Sequence, residues 1–222
     1  MQDYIISLFK GTGITLALAL AAAPLSLILG IFGACGELNK NLIIRKITFA
    51  LTSILRGLPE LLIIFVVYFG GTVLLNKLSI QHNVSPFLAG TIALGIVFAA
   101  YSAQAFRGAF LAIPKGQKEA AIALGLHRWQ VFSMILLPQA IRHALPALSN
   151  LWAALLKDTS LISLIGLADL LNNAKVAASV TYKPFFFYVG AALIYFCAVT
   201  LSERVFKKIS AHFHKFEGMS WT

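Results

Sequence analysis

The sequence predicts an all-α integral membrane protein with about five transmembrane helices in a single domain over residues 1–222. Three observations carry this prediction: an apolar balance that no soluble core can hide, uncharged runs as long as a bilayer crossing, and basic residues gathered in alternate connecting segments. Of 222 residues, 59% are hydrophobic and 12% charged, and the mean hydropathy is +0.84. An α-helix needs ~20 apolar residues to cross the hydrocarbon core.

Taken in order, residues 11–36 form the first such run. Asp3 precedes it and no Lys or Arg occurs before Lys10, so the basic leader of a cleaved signal peptide is lacking and the first span is expected to be retained. The second run, 47–76, is interrupted by Arg56 and Glu60; the third, 78–106, is expected to be helical from about Pro86. The fourth, 129–156, carries Arg142 and His143, and the fifth covers 184–202. Between these two, residues 157–183 are mixed and turn apolar again at 161–167, which predicts a re-entrant or surface helix.

Orientation follows from the basic residues. With the amino terminus outside, inner segments hold Lys40, Arg45 and Lys46, then Arg107, Lys115, Lys118 and Arg128, then Arg204, Lys207, Lys208 and Lys215. Outer segments hold Lys10, Lys77, Lys157, Lys175 and Lys183. Cytoplasmic loops collect Lys and Arg, so the amino terminus is expected outside and the carboxyl terminus inside. The same rule explains the net charge of +10 without a nucleic-acid partner.

Little points to chemistry on this chain. Cys35 and Cys197 form no C-x-x-C motif, His212 and His214 lie in a Lys-containing tail that reads as solvated, and the few acids are dispersed. No G-x-x-x-x-G-K-[ST] loop is present, so no nucleotide-binding motif accompanies the spans. No catalytic or metal site is expected.

Residues 115–138, KGQKEAAIALGLHRWQVFSMILLP, are a polar helix-forming island between apolar segments. Small residues Ala120, Ala121 and Ala123 permit close approach to a neighbouring surface, Gly125 permits a sharp turn, and Pro138 restricts how the following helix starts. Residues 120–131 also fit a helix-turn-helix outline, but flanking spans leave a recognition helix little room to reach a major groove.

The order Glu119-Ala120-Ala121 with Gly125 resembles the EAA loop of ABC importer permeases, the cytoplasmic helix that docks on a separate ATPase. Three further patches extend the resemblance. Arg56-Gly57-Leu58-Pro59-Glu60 resembles the R-G-x-P signature of the polar amino acid branch; Ala100-Tyr101-Ser102-Ala103-Gln104 with Arg107-Gly108 resembles its A-Y-x-A-E-x-x-R-G; Lys157-Asp158-Thr159-Ser160-Leu161 resembles its K-D-T-S-L. The resemblance implies the type I importer permease fold in the bacterial inner membrane, with residues 107–138 as the coupling loop. It implies two ATPase subunits, a second permease subunit, identical or similar, and a periplasmic or lipoprotein receptor. ATP and Mg would be bound by the partner ATPase, and no cofactor by this chain.

Departures from the pattern bear on the cargo. Most relatives carry an apolar residue where Glu60 stands, and RGLPE most resembles arginine and basic amino acid permeases. An ionised acid near the bilayer centre costs about 2.5 to 3.5 kcal/mol, which makes Glu60 a functional candidate with a cationic partner. Gly57 and Pro59 interrupt helical hydrogen bonding and would open backbone groups to a polar cavity. The alternative is a structural ion pair between Arg56 and Glu60, four residues apart.

Gln104 replaces the family's acid. Tyr101 and Gln104 share a helix face and would both reach the cavity, with Arg107 nearer the cytoplasm. Asp158, beside Thr159, would receive an α-ammonium group while a broken helix end takes the α-carboxylate; its alternative is a helix-capping Asp. The expected function is the permease subunit for a basic amino acid, arginine first. Histidine, lysine or glutamine import is the alternative, and a secondary transporter is disfavoured because no inverted repeat is found.

Overall fold

The computed structural model describes residues 2–78 and 84–214, with side chains described as far as residue 210; Lys215 and the side chains of His212 and His214 lie outside this set. The described residues are helical throughout: α1 (Gln2–Glu37), α2 (Leu42–Gly57), α3 (Glu60–Lys77), α4 (Pro86–Ala112), α5 (Lys115–Ala123), α6 (Arg128–Ile165), α7 (Leu170–Thr181) and α8 (Pro184–His214). Among them, α1, α3, α4, α6 and α8 are long and apolar enough to span a membrane.

The count of five spans agrees with the sequence, but the second is redrawn. The run 47–76 is two helices, because Pro59 drives Leu58 into extended backbone (φ −94°, ψ 145°) and stops α2 at Gly57. Asn41 caps α2 at its other end by accepting the Ile43 N–H at 2.9 Å. α3 then starts afresh at Glu60 with Pro59 in the capping position and no side-chain cap.

The fourth span starts at Arg128, where the run 129–156 places it, and it is Pro138 that differs from expectation: it does not limit the start of a helix, because α6 begins ten residues earlier and runs through it. A wide π-type turn over Val131–Leu136 immediately precedes the ring, at the point where a proline clashes with a regular helix. Beyond Asp158 the same helix tightens to a 3₁₀ turn over Thr159–Ile165 and stops at Gly166, whose φ of +92° suits glycine.

α4 is the central post. Its Ala89, Ala93, Leu94, Val97 and Phe98 are buried against Leu18 and Ala22 of α1, Ile63 and Ile64 of α3, and Leu155 and Ile162 of α6. Small residues bring α1 and α4 close: a Cβ at Gly30 would stand 2.5 Å from the Ser102 Cβ, and one at Gly95 2.5 Å from Leu25. Lipid tails are as apolar as these helices, so close van der Waals fit rather than hydrophobicity holds them together.

The mixed segment 157–183 resolves into the 3₁₀ turn and α7, which packs on the start of α1 and on α8. Three polar contacts fix it: Leu170 N–H donates to Thr15 Oγ1 (3.2 Å), Asn173 Nδ2 donates to the Ser7 carbonyl (2.8 Å), and Asp169 caps the helix by accepting the Asn172 N–H (2.9 Å). Burial pushes the Asp169 carboxyl up to about 6, against the pull of the backbone N–H groups it accepts. A carboxyl raised on folding binds more protons in the folded state, so its contribution is most favourable at low pH and is lost as pH rises through about 6. Hydrogen exchange of α7 should therefore be slower at pH 5 than at pH 7.5 after correction for intrinsic rates, and Asp169→Asn, which keeps the cap, should flatten the difference.

Candidate functional site

Two polar networks lie on α4, and the structure divides between them residues that the sequence grouped together. The first is at mid-height. Tyr101 stands two residues past the midpoint of α4, and its hydroxyl donates to Glu60 Oε1 at 3.4 Å. Asp158 lies within electrostatic reach of both Glu60 and Tyr101, and Arg56 within reach of Tyr101. Three elements thus converge: the first turn of α3, the middle of α4, and the junction of α6 with its 3₁₀ turn. Glu60, Tyr101 and Asp158 are each half-buried.

Arg56 does not neutralise Glu60. It donates through Nε to the Thr52 carbonyl at 3.2 Å, and no Arg56–Glu60 ion pair forms among the described residues. The four-residue spacing that favours pairing holds only within one helix, and the break at Gly57–Pro59 removes it. Nor does Asp158 act as a helix cap, since it makes no capping hydrogen bond and the chain passes through it in helical conformation.

That continuity corrects two expectations. No broken helix end exists at 157–160 to take a carboxylate; the break is at Gly57–Glu60, where the first turn of α3 leaves amides without intrahelical partners. Thr159 is fully buried and its hydroxyl donates to the Leu156 carbonyl at 2.7 Å, which removes it from any ligand contact in this conformation.

The second network surrounds Glu37, a residue not singled out in the sequence. Gln104 Nε2 donates to both of its carboxylate oxygens (2.8 and 2.9 Å), Thr52 Oγ1 donates to Oε1 (2.6 Å), and Arg107 Nε lies 3.5 Å from Oε2. Gln104 therefore faces Glu37 rather than sharing a cavity with Tyr101. The available signal was an acid at the end of an apolar run, flanked by Gly33 and Gly36, where small residues admit a neighbouring helix.

The polar island is a stiff knob. α5 ends in a reciprocal stop: Leu126 N–H donates to the Ala121 carbonyl (3.1 Å) and Gly125 N–H to that of Ile122 (2.9 Å), with Gly125 at φ +82°. Two residues on, His127 and Gln130 form a capping box that starts α6. Glu119, Ala120 and Gly125 are exposed, with Ile122 and Leu124 beside them. Ala121 is instead buried, 4% exposed, unlike its neighbour Ala120. Pro138 is exposed, but on the continuous body of α6.

The chain matches a family model described as binding-protein-dependent transport system inner membrane component over residues 22–215. It is 41% identical over 217 residues to the arginine ABC transporter permease protein ArtQ of Haemophilus influenzae, covering 97% of each chain. It is 37% identical to the histidine/lysine/arginine/ornithine transport system permease protein HisQ of Escherichia coli, covering 89% of each, and 38% identical to the octopine transport system permease protein OccQ of Rhizobium meliloti, covering 92% of this chain and 89% of that one. A crystal structure of an amino acid ABC transporter with histidines superposes with a TM-score of 0.81 at 31% identity over 96% of both chains. An inward-facing MetNI methionine ABC transporter, at 17% identity and a TM-score of 0.77 over 96% of this chain and 99% of that one, shares the fold.

Proposed function

The chain belongs to the family of binding-protein-dependent transport system inner membrane components, and from that premise we propose that it passes a basic amino acid, arginine foremost, through a path lined by Glu60, Tyr101 and Asp158. It is a multi-pass inner-membrane permease of a polar amino acid ABC importer, works with an ATPase and a binding protein, and is not itself catalytic.

The observation that carries the finer reading is the Tyr101–Glu60 contact at the middle of α4, with a second carboxylate, Asp158, within electrostatic reach of both. Two acids in a poorly hydrated place repel each other, and a ligand with two cationic groups relieves that repulsion. Arginine offers a guanidinium for Glu60 and an α-ammonium for Asp158, and the unpartnered first-turn amides of α3 suit its carboxylate. A neutral amino acid such as glutamine brings a single cation. The relatives named for arginine and for histidine, lysine, arginine and ornithine agree with this chemistry.

In the cycle, a loaded binding protein docks on the outer loops, the partner ATPases close on ATP, and the knob around Glu119, Ala120 and Gly125 passes that closure to the spans. Gly57 and Pro59 provide the hinge beside Glu60, with Arg56 and Arg107 anchored on either side. The amino terminus lies outside and the carboxyl terminus inside. A second permease subunit, identical or similar, completes the path around a two-fold axis.

Equilibrium binding to the permease–ATPase complex without its binding protein reads the permease's own preference. Arginine should bind at least tenfold more tightly than glutamine. Equal binding of the two would reject the basic-cargo reading.

A further inference from the structure

We propose that Glu37 is a positioning residue of the transport cycle: a buried latch joining α1, α2 and α4 between the Glu60–Tyr101 pair and α5, so that motion of α5 carried along α4 reaches the cargo path through it. The inference rests on the transport reading but not on the identity of the cargo. Glu37 is 4% exposed, and each of its partners comes from a helix other than its own: Thr52 from α2, Gln104 and Arg107 from α4. An acid so placed is costly unless paired, so its partners hold it and it holds them.

Its position gives the latch a direction. Gln104 is one helical turn from Tyr101, and Arg107 one turn further toward the end of α4, where two residues, Ile113 and Pro114, lead into α5. The backbones are close here: a Cβ at Gly33 would lie 2.9 Å from the Ala103 Cβ, and one at Gly36 2.6 Å from the Thr48 hydroxyl. Helices this close do not slide by degrees; they hold or separate.

A second resting place is at hand. A cavity of about 200 Å³ beside the network is lined by Glu37, Arg45, Lys46, Phe49 and Arg107. When α4 moves away from α1, the carboxylate turns from Gln104 to Arg45 and Lys46 rather than standing unpaired. The latch therefore has two arrangements, which is what a coupling element requires.

The test uses the complete importer in proteoliposomes and reads amino acid moved per ATP hydrolysed, with whichever amino acid the unaltered protein carries. A failure of the arginine reading therefore leaves this test standing. Glu37→Gln should lower the ratio at least fivefold while ATP hydrolysis continues. The exchange Glu37→Gln with Gln104→Glu moves the carboxylate onto α4, facing an amide at position 37 while the helices are together and paired with Arg107, three residues along the same helix, when they part; it should restore the ratio to within twofold. An assembled Glu37→Gln importer with an unchanged ratio would overturn the proposal. If that variant does not assemble, the exchange decides alone: recovery of both assembly and ratio supports the latch. Recovery of assembly without the ratio, or no recovery at all, contradicts it.

Discussion

Glu60→Gln should lower arginine uptake by the reconstituted importer at least tenfold while leaving citrulline, its neutral isostere, within twofold of its former rate. The carboxylate faces Tyr101 from the first turn of α3, half-buried, and no basic side chain pairs with it among the described residues. A charge-assisted hydrogen bond contributes about 1.5–3 kcal/mol, and 1.4 kcal/mol is a factor of ten. The substitution keeps the shape and one acceptor, so a loss specific to arginine isolates the charge. Equal loss of both ligands would mean that Glu60 holds the helix break in place rather than the cargo. Tyr101→Phe removes only the long 3.4 Å contact and should have the smaller effect.

Leu124→Asp should reduce capture of the partner ATPase at least tenfold and abolish uptake, with the permease itself still folded. Leu124 is 82% exposed at the tip of the knob, and Ile122 beside it is 51% exposed. A large apolar side chain held out on a rigid turn is the type of residue that anchors an interface, and a buried unpaired charge there costs several times what the apolar contact contributes. Pull-down with the ATPase in mild detergent measures the loss. Cysteine cross-linking adds a control set by burial: Ala120→Cys should capture the ATPase and Ala121→Cys should not, since Ala120 is exposed and Ala121 is buried. Normal capture by the Leu124 variant would move the docking surface elsewhere.

Much of this was legible in the sequence because bilayer crossings, helix breakers and the knob are local signals. Span number, the start of α4 at Pro86, the turn at Gly125 and the interruption at Gly57–Pro59 each follow from residues adjacent in the chain. Pro138 misled because a proline reads as a boundary, whereas the π-type turn before it carries α6 straight through. Thr159 and Ala121 were placed on working surfaces by composition, and only packing shows that both are buried. Glu37 was invisible for a related reason. Its partners stand 15, 67 and 70 residues away, and no pattern along the chain announces that an acid at the end of one helix will meet an amide from the middle of another.

The proposed basic-cargo path requires Glu60 and Asp158 together to hold the two cations of the cargo. An arginine-soaked structure of the permease–ATPase complex tests it directly, and should show the guanidinium within hydrogen-bond distance of the Glu60 carboxylate and the α-ammonium at Asp158. Arginine bound in the path but touching neither carboxylate would contradict it.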